Sequence, residues 1–167
     1  LFFFISGKTS MESEGNVKPL RVGWREWLSL PGLGIPAIKA KVDTGARTSC
    51  LHVCSMETYM EEGAEWVRFV VQPLRKHPEV VFNCAAPILD RRNVTDSGGH
   101  TQPRIFIQTE LLLGDRRWQI ELNLTRRDNM LFPMLLGRTA LHGYAVVEPG
   151  ESFCQGKLLA RSYSNKR

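Results

Sequence analysis

An acid, a hydroxyl residue and a glycine in direct succession, Asp43-Thr44-Gly45, stand at the end of a short alternating segment, Ile38 to Val42. In an extended chain Ile38, Ala40 and Val42 face one way and Lys39 and Lys41 the other, the period of a half-buried strand. A strand that ends like this delivers a carboxylate to a fixed point. Thr44 has a hydroxyl for backbone or a neighbouring carboxylate, and Gly45 lets the chain turn tightly and bring N–H groups close to the acid. The chemistry open to such a group is general acid or base work on a water. A second stretch, Met134-Leu135-Leu136-Gly137-Arg138, is apolar up to its glycine. It reads as a buried strand running into a brief helix over Arg138 to Leu141, stopped by Gly143.

Three other constellations contain reactive residue types and satisfy no mechanism. Cys50, His52 and Cys54 share a strand face, but tetrahedral zinc needs a fourth ligand and usually loop spacing, and no His-Glu-x-x-His is present. The four cysteines read as free thiols of a reducing compartment. Asp96, Ser97 and His100 match the residue types of a serine-hydrolase triad, yet they crowd together in sequence without a Gly-x-Ser-x-Gly elbow. Gly7-Lys8-Thr9 lacks the upstream glycine of a phosphate-binding loop. No metal and no cofactor is expected.

The elements that must position Asp43 are strands. A chain of 167 residues supports one domain with a sizeable core. Its 43% hydrophobic and 23% charged residues are those of a globular protein, with no apolar run near the ~20 residues of a membrane span. Leu1 to Ile5 is too short and lacks the basic start of a secretory signal, so a cytoplasmic location is expected. Residues 1–19 read as an N-terminal tail, 20–160 as the domain and 161–167 as a loose C-terminal tail. The net charge of +5 invites a nucleic-acid reading, but the basic residues are scattered and Arg91-Arg92 lacks interleaved aromatics. An acidic peptide is the better use of that charge; neither nucleic acid nor membrane is expected as a partner.

Leu20 to Leu30 reads as a strand with a turn, and strands follow over Ile35 to Val42 and Thr48 to Ser55. Met56 to Glu62 is ambiguous, while Trp66 to Val71 pairs in a hairpin with Glu79 to Cys84. Asp90 to Arg104 is a polar hairpin with Asp96-Ser97-Gly98-Gly99 at its tip. Ile105 to Leu113 and Trp118 to Thr125 form the clearest hairpin: Trp118, Ile120, Leu122 and Leu124 face the core, and Gln119, Glu121, Asn123 and Thr125 face water. Tyr144 to Val147 and Ser152 to Leu158 are read as late strands. The class is all-β with one short helix.

Asp-Thr-Gly-Ala after an apolar strand, followed much later by two aliphatics and a glycine, resembles the active-site signature of retropepsin-type aspartic proteases. More narrowly, the chain is similar to a retropepsin-like bacterial family labelled "ATP-dependent zinc protease", related to proteins that accompany ATP-grasp glutamate ligases. The segments that carry the likeness are Val22 to Trp27, Lys39 to Ser49, Asp90-Arg91-Arg92 with Val94, Trp118 to Thr125, Arg127 to Met130, Met134 to Leu141, and Ser152-Phe153. The zinc and ATP of that label have no support in these residues.

The resemblance implies a closed single-lobe barrel in which Asp43, Thr44 and Gly45 form the catalytic loop. Leu135, Leu136 and Gly137 would pack beneath it, and the hairpin tip with Ser97, Gly98 and Gly99 would be a flap closing over substrate. Ala46, Arg47 and Arg138 would contact the substrate, two guanidiniums suiting the carboxylates of an acidic peptide. Peptide hydrolysis by aspartic acids needs two carboxylates sharing one proton. This chain has one Asp-Thr-Gly, and Asp90, Asp96, Asp115 and Asp128 lack its context. The expectation is therefore a homodimeric aspartic endopeptidase with one Asp43 from each copy. The alternative is a non-catalytic β-barrel dimer that binds a peptide or a ligase and keeps the Asp loop for structure.

Overall fold

Alternating apolar residues leave each strand one face to bury, and the strands bury it by closing a ring. The computed structural model describes residues 17–126 and 130–163. In chain order the strands are β1 (Leu20–Val22), β2 (Arg25–Leu30), β3 (Ile35–Asp43), β4 (Ser49–His52), β5 (Ser55–Glu61) and β6 (Ala64–Val71), then β7 (Phe82–Pro87), β8 (Asp90–Thr95), β9 (Thr101–Leu113), β10 (Arg116–Thr125), β11 (Met134–Gly137) and β12 (Ala145–Val147). One helix, α1 (Arg138–Leu141), follows β11, and 3-10 turns occupy Pro31–Leu33 and Leu158–Tyr163. Among the described residues no helix is long and apolar enough to cross a membrane.

Hydrogen-bonded pairing runs β10-β4-β11-β3-β2-β9, and β9 pairs again with β10, so the ladder returns on itself; β8 extends it beyond β9. Within this ring two pairings are parallel, β10 with β4 and β11 with β3, so β11 lies between the strand that delivers Asp43 and the strand that follows its loop. Leu28, Ile38, Leu51, Ile107, Leu122 and Leu136 are fully buried inside. Burying each of these side chains contributes roughly 1.5–3 kcal/mol before the cost of ordering it. Trp118 ties α1 to this core, its indole N–H donating to the Ala140 carbonyl at 2.9 Å.

A three-stranded sheet, β5-β6-β7, packs against the ring. The ambiguous Met56 to Glu62 segment is strand β5, turned by Glu62 and Gly63 at φ of 48° and 78°, the left-handed pair a two-residue hairpin requires. The hairpin partner of β6, strand β7, starts at Phe82, later than the expected Glu79, because residues 74–80 form successive turns with His77 N–H bonded to Leu74 and Val80 N–H to His77.

Two expectations at the C-terminal end are corrected. Ser152 to Leu158 forms turns, and the cause is Glu26, fully buried in β2. Its carboxylate accepts from the N–H groups of Gly23 at 3.2 Å, Cys154 at 2.9 Å and Gln155 at 2.8 Å. Donors committed to one carboxylate cannot also join a ladder. Arg161 to Tyr163, expected in a loose tail, close a 3-10 turn in which the Tyr163 hydroxyl bonds the Ala37 carbonyl and accepts from its N–H. Residues 1–16, which include Gly7-Lys8-Thr9, residues 164–167 of the C-terminal tail and Arg127-Asp128-Asn129 lie outside the described residues.

Glu26→Gln keeps the shape but sets an NH2 group against backbone donors that then lack an acceptor. It is expected to lower unfolding free energy by about 2–4 kcal/mol. Urea denaturation checks this, and an unchanged midpoint would contradict it.

Candidate active site

Strand β3 ends at Asp43, half-buried at the mouth of a cleft. The chain turns back on the carboxylate, and Asp43 Oδ1 accepts from the N–H groups of Gly45 at 3.1 Å and Ala46 at 3.2 Å. A Cβ on Gly45 would sit 3.2 Å from that same oxygen, which is why this position suits glycine. The far side of the loop is held by the start of α1. Arg138 donates its N–H to the Ala46 carbonyl at 2.9 Å and Nη1 to the Gly45 carbonyl at 3.2 Å, and Thr139 Oγ1 donates to the Arg47 carbonyl at 2.7 Å.

Gly137 lies beside Asp43 in the β11–β3 ladder, and its N–H donates to Ser49 Oγ at 3.0 Å. A Cβ there would approach the carbonyl carbon and oxygen of Thr48 to 2.6 Å. Backbone therefore packs directly on backbone beneath the loop.

The cleft encloses about 960 Å³. Of the residues singled out in the sequence, Asp43, Gly45, Ala46, Arg47, Ser97, Leu135 and Arg138 line it. Thr44 is exposed on the loop and outside the cleft lining. Leu136 is buried in the core, and Gly137 is in the ladder below. Gly98 and Gly99 are at the exposed tip of the β8–β9 hairpin, where Asp96 Oδ1 accepts from the N–H groups of Gly98 at 2.9 Å and His100 at 3.0 Å. Asp96 and His100 thus build a turn. Arg92 to Ser97 of this hairpin form one wall of the cleft. A smaller depression of about 530 Å³, lined by Met56, Gln102 and Arg126 among others, excludes Asp43.

Arg92, Arg104 and Asn123 also line the cleft, and the sequence reading missed all three. Asn123 and Thr125, expected on a wet face, are buried at 1% and 4% exposure because β4 pairs alongside them. The Asn123 amide nitrogen donates to the Ser49 carbonyl at 2.8 Å and Thr48 Oγ1 at 3.2 Å, and its oxygen accepts from Arg104 at 3.0 Å. This network fixes the return of the Asp43 loop into β4. Arg92 lies over the Phe106 ring at 4.4 Å and donates to Glu121 at 2.7 Å and to Asp90 at 3.0 Å. The bond from Arg92 holds the Glu121 carboxyl below the usual carboxylate range. A lowered folded value means that this pair contributes fully at neutral pH and is lost on acidification. With side chains 37% and 44% exposed it contributes at most about 1 kcal/mol. The Asp90-Arg91-Arg92 run was the one local signal for Arg92; for Asn123 and Arg104 the partners are too distant in sequence to leave one.

Cys50 is buried and Cys54 exposed, and none of the four cysteines is in a disulfide. Burial pushes the Cys84 thiol up to about 11. Among the described residues no group of three or more His, Cys, Asp or Glu side chains is placed to hold a metal ion.

Gly137→Ala puts a methyl group against the Thr48 carbonyl, neither side of which is a flexible side chain. It is expected to lower stability by roughly 1–3 kcal/mol, the scale of overpacking, and to disturb the Asp43 loop. Thermal unfolding with amide NMR shifts of Gly45 and Ala46 checks this; wild-type stability and shifts would contradict it.

Over residues 21–158 the sequence matches the RimB-like family, described as "Retropepsin-like aspartic endopeptidase RimB". Curated relatives are 42% identical over 136 residues in Shewanella pealeana, 43% over 141 residues in Desulfotalea psychrophila and 46% over 137 residues in Parasynechococcus marenigrum. Each is named probable alpha-L-glutamate ligase. The matches cover 81%, 84% and 82% of this chain but 30%, 30% and 29% of those proteins, so the chain spans less than a third of their length. The crystal structure of Legionella pneumophila protein Lpg0085, described as of unknown function, has a TM-score of 0.69 at 25% identity and covers 83% of this chain and 99% of its own. With the match running from the first strand past the last, this chain belongs to the RimB-like family of retropepsin-like aspartic endopeptidases.

Proposed function

We propose that the protein is an aspartic-type peptidase in which the Asp43 carboxylates of two copies meet on a two-fold axis, and that acidic, glutamate-rich peptides are its substrates. The observation that carries this reading is a strand-end carboxylate, held by two backbone N–H groups, in a cleft lined by Arg47, Arg92, Arg104 and Arg138. Among the described residues the only other carboxylate lining that cleft is Asp96, bonded into the hairpin turn.

The geometry suits a shared-proton pair. Both backbone bonds fall on Oδ1, and among the described residues no hydrogen bond goes to Oδ2. In the dimer one Asp43 takes a proton from the attacking water as its oxygen bonds the peptide carbonyl carbon, and the other protonates the carbonyl oxygen. Collapse of the adduct breaks the C–N bond: one hydroxyl proton returns to the second carboxylate as the C=O forms, and the proton held by the first carboxylate leaves on the amine. A second Asp43 must come from a second copy, because the loop sequence occurs once, and an isologous interface supplies it.

Four guanidiniums recognise side-chain carboxylates by charge and paired N–H donors. Relatives named as glutamate ligases fit a protein that acts on glutamate chains. A cytoplasmic setting, where such chains would be made, belongs to the same proposal.

The test is cleavage of poly-glutamate and mixed peptide libraries by wild type and Asp43→Asn, with mass measured by light scattering on the same samples. Wild type is expected to be dimeric and active, and the substitution to lower kcat by at least roughly a thousandfold while leaving the dimer. Full cleavage by Asp43→Asn would overturn the catalytic role. A stable wild-type dimer without cleavage from acidic to neutral pH would assign the fold to peptide binding instead.

A further inference from the structure

On the outer side of β2 and β3, Arg25 stands opposite Lys41 and Trp27 opposite Lys39, so the four side chains share one face. Alternate residues of a strand face alike, which places Asp43 on the same side of β3 as Lys39 and Lys41. Lys39 is four residues from Asp43, about 13 Å along the strand.

The C-terminal turn adds to this face. The Arg25 guanidinium is held between the rings of Trp24 and Phe153, 4.5 and 4.8 Å from their centroids, with its Nε donating to Ser152 Oγ at 3.2 Å. Lys157 lies over Phe153 at 4.9 Å and Lys39 over Trp27 at 5.5 Å. Among the described residues none of Arg25, Lys39, Lys41 and Lys157 pairs with a carboxylate, whereas Arg21, Arg68, Arg91, Arg92 and Arg117 all do. Burial, and then the charges of Arg25, Lys157 and Lys76, hold the Lys39 ammonium below the usual lysine range. Cations gathered on aromatic rings without acids between them repel one another, and an anionic partner offsets that repulsion.

We propose that this face is a binding site for an acidic peptide outside the cleft, a rail that continues the path of the chain from Asp43 along β3. The proposal rests on the reading of the cleft as an acidic-peptide site. An extended peptide repeats its same-side carboxylates every ~6.6 Å, the interval at which Lys39 and Lys41 repeat. A nucleic acid fits less well: base stacking needs open ring faces, and Arg25, Lys39 and Lys157 already lie over the rings of Trp24, Trp27 and Phe153.

Binding is measured by fluorescence anisotropy on the full chain carrying Asp43→Asn, which prevents turnover and makes the result independent of catalysis. The probes are glutamate peptides of about four residues, confined to the cleft, and about twelve residues, long enough to reach Lys39 and beyond. Lys39→Gln/Lys41→Gln/Lys157→Gln is expected to weaken the long peptide about tenfold and leave the short one unchanged. Lys157→Gln alone, in an exposed turn, is expected to weaken the long peptide about threefold and serves should the triple variant misfold by circular dichroism. Unchanged affinity for the long peptide in a folded variant would overturn the rail, as would equal losses for both peptides. Tighter binding of an oligouridylate than of the long peptide, lost in the same variant, would replace the peptide by RNA. Wild-type cleavage of the short peptide, tested separately, reports on the cleft reading alone.

Discussion

The structure depends on one close approach, the backbone of Gly137 against the backbone at Thr48 and Ser49. With no Cβ, β11 can enter between β3 and β4, one parallel and the other antiparallel to it. That insertion completes the ring of pairings. It also sets Arg138, the next residue, where its main-chain and side-chain donors meet carbonyls of the Asp43 loop. The loop is therefore shaped from both sides: its own N–H groups turn inward on the carboxylate, and its carbonyls turn outward onto α1. In the proposed peptidase a carboxylate fixed in this way would need no reorganisation before acting on a water, which is where a preorganised site gains its rate.

Charge is distributed to match. The chain carries a net +5, and Arg47, Arg92, Arg104 and Arg138 line the cleft at which Asp43 opens to solvent. Arg92 is anchored by Glu121 and Asp90, and Arg104 by Asn123, so these guanidiniums are pre-positioned and would lose little freedom on binding the proposed acidic substrate. Glu26 does a different job on the opposite face of β2. It gathers the C-terminal turn onto the barrel, and through that turn it presents Phe153 to Arg25.

Much of this was legible in the chain wherever the information is local. Alternation marked β3, β6, β9 and β10, and an acid followed by Thr-Gly at a strand end marked the loop. Failures came where partners are distant. Asn123 and Thr125 alternate like solvent-facing residues, and only the pairing of β4 along β10, some seventy positions away, buries them. Ser152 to Leu158 has strand-like letters but surrenders its N–H groups to Glu26, 128 positions upstream of Cys154. Arg25, Lys39 and Lys157 looked scattered because their clustering exists only across the β2–β3 ladder and the turn that covers it. The family likeness supplied the fold, which the spacing of single residues does not reveal.

The central claim is that one active site is made by two copies, each giving Asp43. Subunit mixing tests it most directly: wild type and Asp43→Asn are combined at varied ratios, allowed to exchange, and assayed on a glutamate-rich peptide. If the two carboxylates share one proton across the axis, mixed dimers are inactive and activity falls as the square of the wild-type fraction. A linear fall would show that each copy works alone and would contradict the account.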